Sequence, residues 1–151
     1  VLTEFTVDGA WLRKVPVDFP KMMKLNFKDN PDLAQTLAVM FASANVYATF
    51  SGIESLRVKE TDRIEALQHE LAKINVRFDF SDMYDFYQLK GEFRIPDAEV
   101  ETYHDHRMAM SFAALGALAP VTIHNPDVVF KSYPDFWNQL HQAGFQLDFF
   151  S

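Results

Sequence analysis

Three cations and two carboxylates occupy one run of seven residues, Arg57-Val58-Lys59-Glu60-Thr61-Asp62-Arg63. Guanidinium and ammonium groups at that density suit a ligand bearing carboxylate or phosphate, with arginine adding a planar fork to the charge. A carboxylate among them, Glu60, can in addition move a proton. Three residues separate Glu60 from Arg63, which puts both on one side of a helix, and free backbone N–H groups at a helix start would add anion affinity. The same run also reads as a solvated charged face with local salt bridges, each weak on its own. A second cluster, Tyr103-His104-Asp105-His106-Arg107, holds groups able to ligate zinc. However, His104 and His106 are neither four apart on a helix nor part of a His-Glu-x-x-His motif, so no metal is expected. The simpler expectation is that Asp105 caps a helix and leaves Arg107 to meet an anion. Asp32, after Asn30-Pro31, and Lys131 are individually ordinary: the first complements a helix dipole, the second suits a surface.

The elements that must position these residues alternate. Asn30-Pro31-Asp32 starts a helix over about 31–44, with Asn30 as cap and Leu33, Leu37, Met40, Phe41 and Ala44 at helical spacing. A strand near 46–50 ends at Ser51-Gly52. The next helix begins between Lys59 and Thr61 and buries Ile64, Leu67, Leu71 and Ile74. Two strands, near 76–80 and 84–89, are joined by a Ser81-Asp82 turn, and Lys90-Gly91 marks a further reversal. The 103–107 cluster opens a third helix, followed by a strand at 121–124 and a turn at Asn125-Pro126-Asp127. A last helix starts at Ser132 or Pro134, runs to about Gln142 and is capped by Gly144. This order predicts an α/β architecture, α+β by some schemes, with parallel βαβ crossovers and some antiparallel hairpin. The passages 46–80 and 100–124 are candidates for two versions of one unit. All four charged clusters fall at strand–helix junctions, where a right-handed α/β fold gathers groups on one edge.

Bulk properties bound the reading. With 151 residues, 48% hydrophobic and 15% aromatic, the chain can bury a core. Its net charge of −7 repels polyanions, so neither nucleic acid nor an anionic membrane is an expected partner, and any anion site must be local. The absence of cysteine removes disulfides and thiolate chemistry and suits a reducing cytoplasm. No apolar run approaches a membrane span. The start, Val1-Leu2-Thr3-Glu4-Phe5, lacks Met and a signal-peptide pattern and reads as the interior of a longer protein.

Arg57-Val58-Lys59-Glu60-Thr61-Asp62-Arg63 and Asp105-His106-Arg107-Met108-Ala109-Met110 resemble two signature blocks of the 5-enolpyruvylshikimate-3-phosphate (EPSP) synthases. Asn30-Pro31-Asp32 and Lys131-Ser132-Tyr133-Pro134-Asp135-Phe136 extend the resemblance, in order, along nearly the whole chain. It implies that residues 1–151 form the C-terminal portion of such an enzyme. That portion is most of one lobe of an inside-out α/β barrel made of repeated βαβ-containing units, and the N-terminal lobe is the missing partner. The implied reaction is addition–elimination between phosphoenolpyruvate and the 5-hydroxyl of shikimate 3-phosphate, with neither metal nor organic cofactor. By position, Asp32 would orient the shikimate hydroxyls and accept the proton of the attacking 5-hydroxyl. Glu60 would protonate the methylene carbon of phosphoenolpyruvate and later help to collapse the tetrahedral intermediate. Arg63, Arg107 and Lys131 would hold phosphoenolpyruvate, and Lys59 would contact the shikimate substrate. Ser55, where the family commonly has Asn, and His106 are secondary substrate contacts. Alternatives are an enolpyruvyl transferase acting on UDP-N-acetylglucosamine, and an anion-binding domain without chemistry. With half its cleft absent, the fragment alone is expected to be inactive.

Overall fold

The computed structural model describes residues 2–6, 9–13, 20–95 and 98–150, the first two stretches by backbone alone. Those two are strands, β1 (Leu2–Thr6) and β2 (Gly9–Arg13), paired antiparallel with Leu2 opposite Arg13. The main sheet holds β3 (Met22–Asn26), β4 (Tyr47–Ser51), β5 (Val76–Ser81) and β6 (Phe86–Gly91) in the order β3-β4-β6-β5. β3 and β4 are parallel, and β6 runs antiparallel to both of its neighbours. β4 and β5 therefore share a direction with β6 between them.

Between these strands lie α1 (Ala34–Ser43) and α2 (Arg63–Lys73); α3 (His106–Ala113) lies between a second parallel pair, β7 (Ala98–Val100) and β8 (Val121–Ile123). α4 (Phe136–Gln142) closes the chain. One face of the sheet is apolar. Ala48 and Phe50, Val76 and Phe78, and Tyr87 and Leu89 alternate inward and form one core with Ile64, Leu67 and Leu71 of α2. Aromatic rings line it: Phe27 stacks on Phe50 at 5.2 Å, and Phe50 meets Phe78 edge to face. Polar pairs such as Arg77 with Asp79, and Tyr47 with Gln88, stand on the strands as well. α1, α2 and α3 contact one another as well as the core. A smaller cluster, Ala109, Ala113, Val129 and Trp137, joins α3 to α4. No helix among the described residues is long and apolar enough to cross a membrane.

The α/β expectation holds, and several boundaries need correction. β3 and β7 are absent from the sequence expectation: β3 buries none of its residues, so it shows no clean apolar alternation, and β7 is three residues with Glu99 exposed between buried Ala98 and Val100. With them in place, the adjacent parallel βαβ units are 22–51 and 98–123; the strands of the passage 46–80 are separated by β6. α2 begins at Arg63, after a 3-10 turn over Glu54–Val58, because the Asp62 carboxylate caps the amides of Ile64 and Glu65 at 3.0 Å. Pro31–Leu33 is 3-10, and Asn30 makes no side-chain cap. Lys90 and Gly91 complete β6, and α4 starts at Phe136. Gly144, at φ 99°, follows that helix as expected.

Candidate functional site

Asp32 follows β3, Lys59 to Arg63 follow β4, and Asp105 to Arg107 follow β7, so each group sits where a parallel strand hands over to a helix. That is the edge at which α/β sheets bind ligands. The three segments meet. Arg63 donates from Nε to Asp105 Oδ2 at 2.5 Å, from Nη1 to Asp32 Oδ1 at 2.8 Å and from Nη2 to Glu60 Oε2 at 2.7 Å. Arg107 reaches Asp32 Oδ2 at 3.2 Å, and the Lys59 ammonium lies 3.6 Å from Asp32 Oδ1. Three cations thus interleave with three carboxylates.

The members differ in exposure, and this decides what each can do. The Arg63 side chain is 2% exposed and that of Asp105 0%, so they form the buried root of the network. Unpaired, either would leave a charge without water. Asp105 caps α3 by accepting the Arg107 amide at 2.7 Å, as the sequence predicts. Its grip on Arg63 was hidden by their separation of forty-two residues along the chain. Above the root, Lys59, Arg107 and Asp32 are each about one-third exposed, at 34%, 34% and 37%, and Glu60 is half exposed. These four form the accessible wall. The close approach of Glu60 to Arg63 was expected from helical spacing, yet Glu60 precedes α2; a bend in the chain brings them together.

The Glu60 carboxyl is held below its ordinary range by a hydrogen bond from its own backbone amide, then by the nearby charges of Arg63, His106 and Lys59; partial desolvation works the other way. Glu60 is therefore a carboxylate at neutral pH. His106, half-buried as the first residue of α3, belongs to the rim of the cluster. Ser55 is exposed in the 3-10 turn. Lys131 is exposed beyond the 3-10 turn Pro126–Val129, which packs on α3, and it forms no ion pair among the described residues. Arg57, a cation of the run to which the sequence assigns no separate role, bonds Asp62 at 2.7 Å and the Tyr87 hydroxyl at 2.8 Å and so braces the 57–62 loop against β6. Among the described residues no group of three or more His, Asp or Glu is arranged to hold a metal ion.

Comparison with known proteins gives the chain's relatives. The family model for EPSP synthase (3-phosphoshikimate 1-carboxyvinyltransferase) matches residues 5–140. A 3-phosphoshikimate 1-carboxyvinyltransferase from Bacteroides fragilis is 42% identical over 147 residues, covering 96% of this chain and 36% of the relative. One from Nitrosomonas europaea is 38% identical over 89% of this chain and 32% of its own length. A solved EPSP synthase from Acinetobacter baumannii superposes on 78% of this chain and 28% of its own with a TM-score of 0.67 at 29% identity. The chain spans about a third of the length of the curated relatives it matches. A family match over most of the chain's length, relatives 42% and 38% identical and a matching fold lead to one statement: the chain belongs to the EPSP synthase family.

Proposed function

We propose that this chain is the C-terminal portion of an enzyme that transfers the enolpyruvyl group of phosphoenolpyruvate to the 5-hydroxyl of shikimate 3-phosphate and releases phosphate. The observation that carries the proposal is the convergence of Asp32, Lys59, Glu60, Arg63 and Arg107 from three junctions into one half-open ionic wall. Both substrates are polyanions, so cations must offset their mutual repulsion, and fixed donors in a dry cleft do this best. Arg107 and Lys59 are exposed enough to exchange Asp32 for substrate phosphate or carboxylate. Once released from them, Asp32 can accept hydrogen bonds from the shikimate hydroxyls. For Arg63 to hold phosphoenolpyruvate, Asp32 or Glu60 must swing away from its Nη groups; until then it fixes both carboxylates.

Glu60 is the proton-transfer group. Its low pKa leaves it ionised at rest; closure of a second lobe over it, by expelling water, would raise its pKa so that it takes up a proton. It delivers that proton to the methylene carbon while the 5-hydroxyl oxygen bonds to the adjacent carbon and gives its own proton to Asp32. Glu60 then takes a proton back from the new methyl group as phosphate leaves. That lobe is the partner we assign to this chain, supplied by the part of the protein corresponding to the relatives' remaining length. Lys131 and Ser55, set apart from the network, would contact substrate only across the closed cleft, with His106 at its rim. We place the enzyme in the cytoplasm, because both substrates are too highly charged to cross a membrane unaided.

The test is a chimera in which this chain replaces the matching third of the Bacteroides fragilis relative. Turnover of phosphoenolpyruvate with shikimate 3-phosphate is expected. A folded chimera without turnover, or one preferring UDP-N-acetylglucosamine, would overturn the proposal. An anion-binding module is disfavoured by the three carboxylates that already neutralise the cations. The chain alone is expected to show no turnover.

A further inference from the structure

The turn that delivers Asp105, His106 and Arg107 to the cluster contains two consecutive non-glycine residues in the left-handed region, Tyr103 at φ 53° and His104 at φ 57°. A β-carbon crowds the backbone there, and two in succession need support. The backbone closes the turn with the Asp105 amide on the Thr102 carbonyl at 2.8 Å. Further support comes from Glu70 of α2, whose side chain is buried. Its Oε1 accepts the Tyr103 hydroxyl at 2.7 Å, while Oε2 accepts the Glu101 amide at 3.2 Å and the Lys73 ammonium at 2.7 Å. Glu70 thus grips the chain just before the left-handed pair and again within it.

Arg63 lies seven residues earlier on the same helix, two turns away on the same face and about 10 Å along the axis. α2 therefore meets the 101–105 segment at both ends, through Glu70 at its start and through Arg63 at Asp105. Burial, and then the bond to Glu70, hold the Tyr103 phenol far above its ordinary pKa, so it remains a donor across the neutral range.

We propose that Glu70 is a positioning residue that sets the left-handed Tyr103–His104 turn and thereby registers Asp105, His106 and Arg107 against Arg63 and Glu60. The functional half of this inference rests on the cluster being the substrate-binding wall; the structural half does not.

Two measurements test the halves separately. In the 151-residue chain, Glu70→Gln and Tyr103→Phe are expected to speed amide hydrogen exchange at Glu101, Asp105 and Arg107 about tenfold, as the loss of a charge-assisted bond implies. Exchange at Val39 in α1 should not change. Unchanged exchange at Asp105 and Arg107 in both variants overturns the proposal; Tyr103→Phe, which removes one hydroxyl, covers the case in which Glu70→Gln fails to fold. In the chimera, Glu70→Gln should lower kcat by about tenfold with a smaller change in KM. A second substitution, His104→Gly, should recover part of that loss because glycine adopts the left-handed turn freely. An unchanged kcat in both Glu70→Gln and Tyr103→Phe would sink the functional half. If the unsubstituted chimera does not turn over, the functional reading fails, and amide exchange still decides what Glu70 does.

Discussion

Arg63 shows how one side chain can organise a site by being unavailable. Its guanidinium is buried and shared among Asp105, Asp32 and Glu60, so removing a partner strands a charge and does more than weaken a contact. Asp105→Asn is expected to destabilise the chain by about 3–5 kcal/mol in urea denaturation. Arg94→Ala, which breaks the exposed Arg94–Glu92 pair, should cost less than about 1 kcal/mol by the same measurement. Glu60 has a different character, being half exposed with a lowered pKa. Its folded pKa lies below the unfolded value, so its contribution to stability is present above the ordinary value of 4.5 and is lost as pH falls through the lowered one. The urea midpoints of the wild type and Glu60→Gln should therefore converge in acid. In the chimera the same substitution should lower kcat by about 100-fold or more and leave KM little changed. Tyr103 shifts the other way: its raised pKa stabilises the fold below about 10 and withdraws that support as pH rises further. Ultraviolet titration should show a late-ionising phenol that disappears in Tyr103→Phe.

Junctions, more than helix or strand interiors, set the site. β4 ends at Ser51 and the chain turns at Gly52, whose φ is 70°. A β-carbon there would lie 2.7 Å from the Lys28 backbone nitrogen and 2.8 Å from Asn26 Oδ1. Both the conformation and the close approach require glycine. Gly52→Ala should cost about 1–3 kcal/mol and disturb the loops after β3 and β4 together, seen as a lower Tm. α1 and α2 end with Asn45 and Asn75 in the left-handed conformation, at φ 54° and 61°. Asparagine tolerates that cap better than most residues, a signal as plain as glycine that the sequence reading passed over. The misplaced starts of α2 and α4 have a common origin: each follows a turn whose composition is also compatible with a first helical turn. The Asp62 carboxylate caps α2 and settles its boundary, whereas α4 begins after Asp135 without a side-chain cap.

On the scale of the molecule, a net charge of −7 coexists with a cluster whose three cations are balanced locally, so the anion binding we propose would depend on exchange of partners within the cluster and not on a long-range field. Sequence alone pointed to the family, the α/β class, the buried faces of α2 and α3 and the identity of the charged groups, because each is written in local order: motif, periodicity and residue type. It misread α1, which buries Ala34, Gln35, Ala38, Val39, Phe41 and Ala42 and leaves Leu33, Met40 and Ala44 exposed, because small residues pack where helices approach closely. The Asp105 cap was legible for the same reason, since capping spans only a few residues. Tertiary structure alone decided that β6 separates β4 from β5, that Arg63 is buried while Arg107 and Lys59 stay accessible, and that Lys131 stands apart from the network. It also decided that Glu70, an ordinary-looking glutamate in a helix, holds the turn before Asp105. These are contacts between groups thirty or more residues apart, or degrees of burial, and neither leaves a local trace. They follow from how the sheet and its helices close on one another.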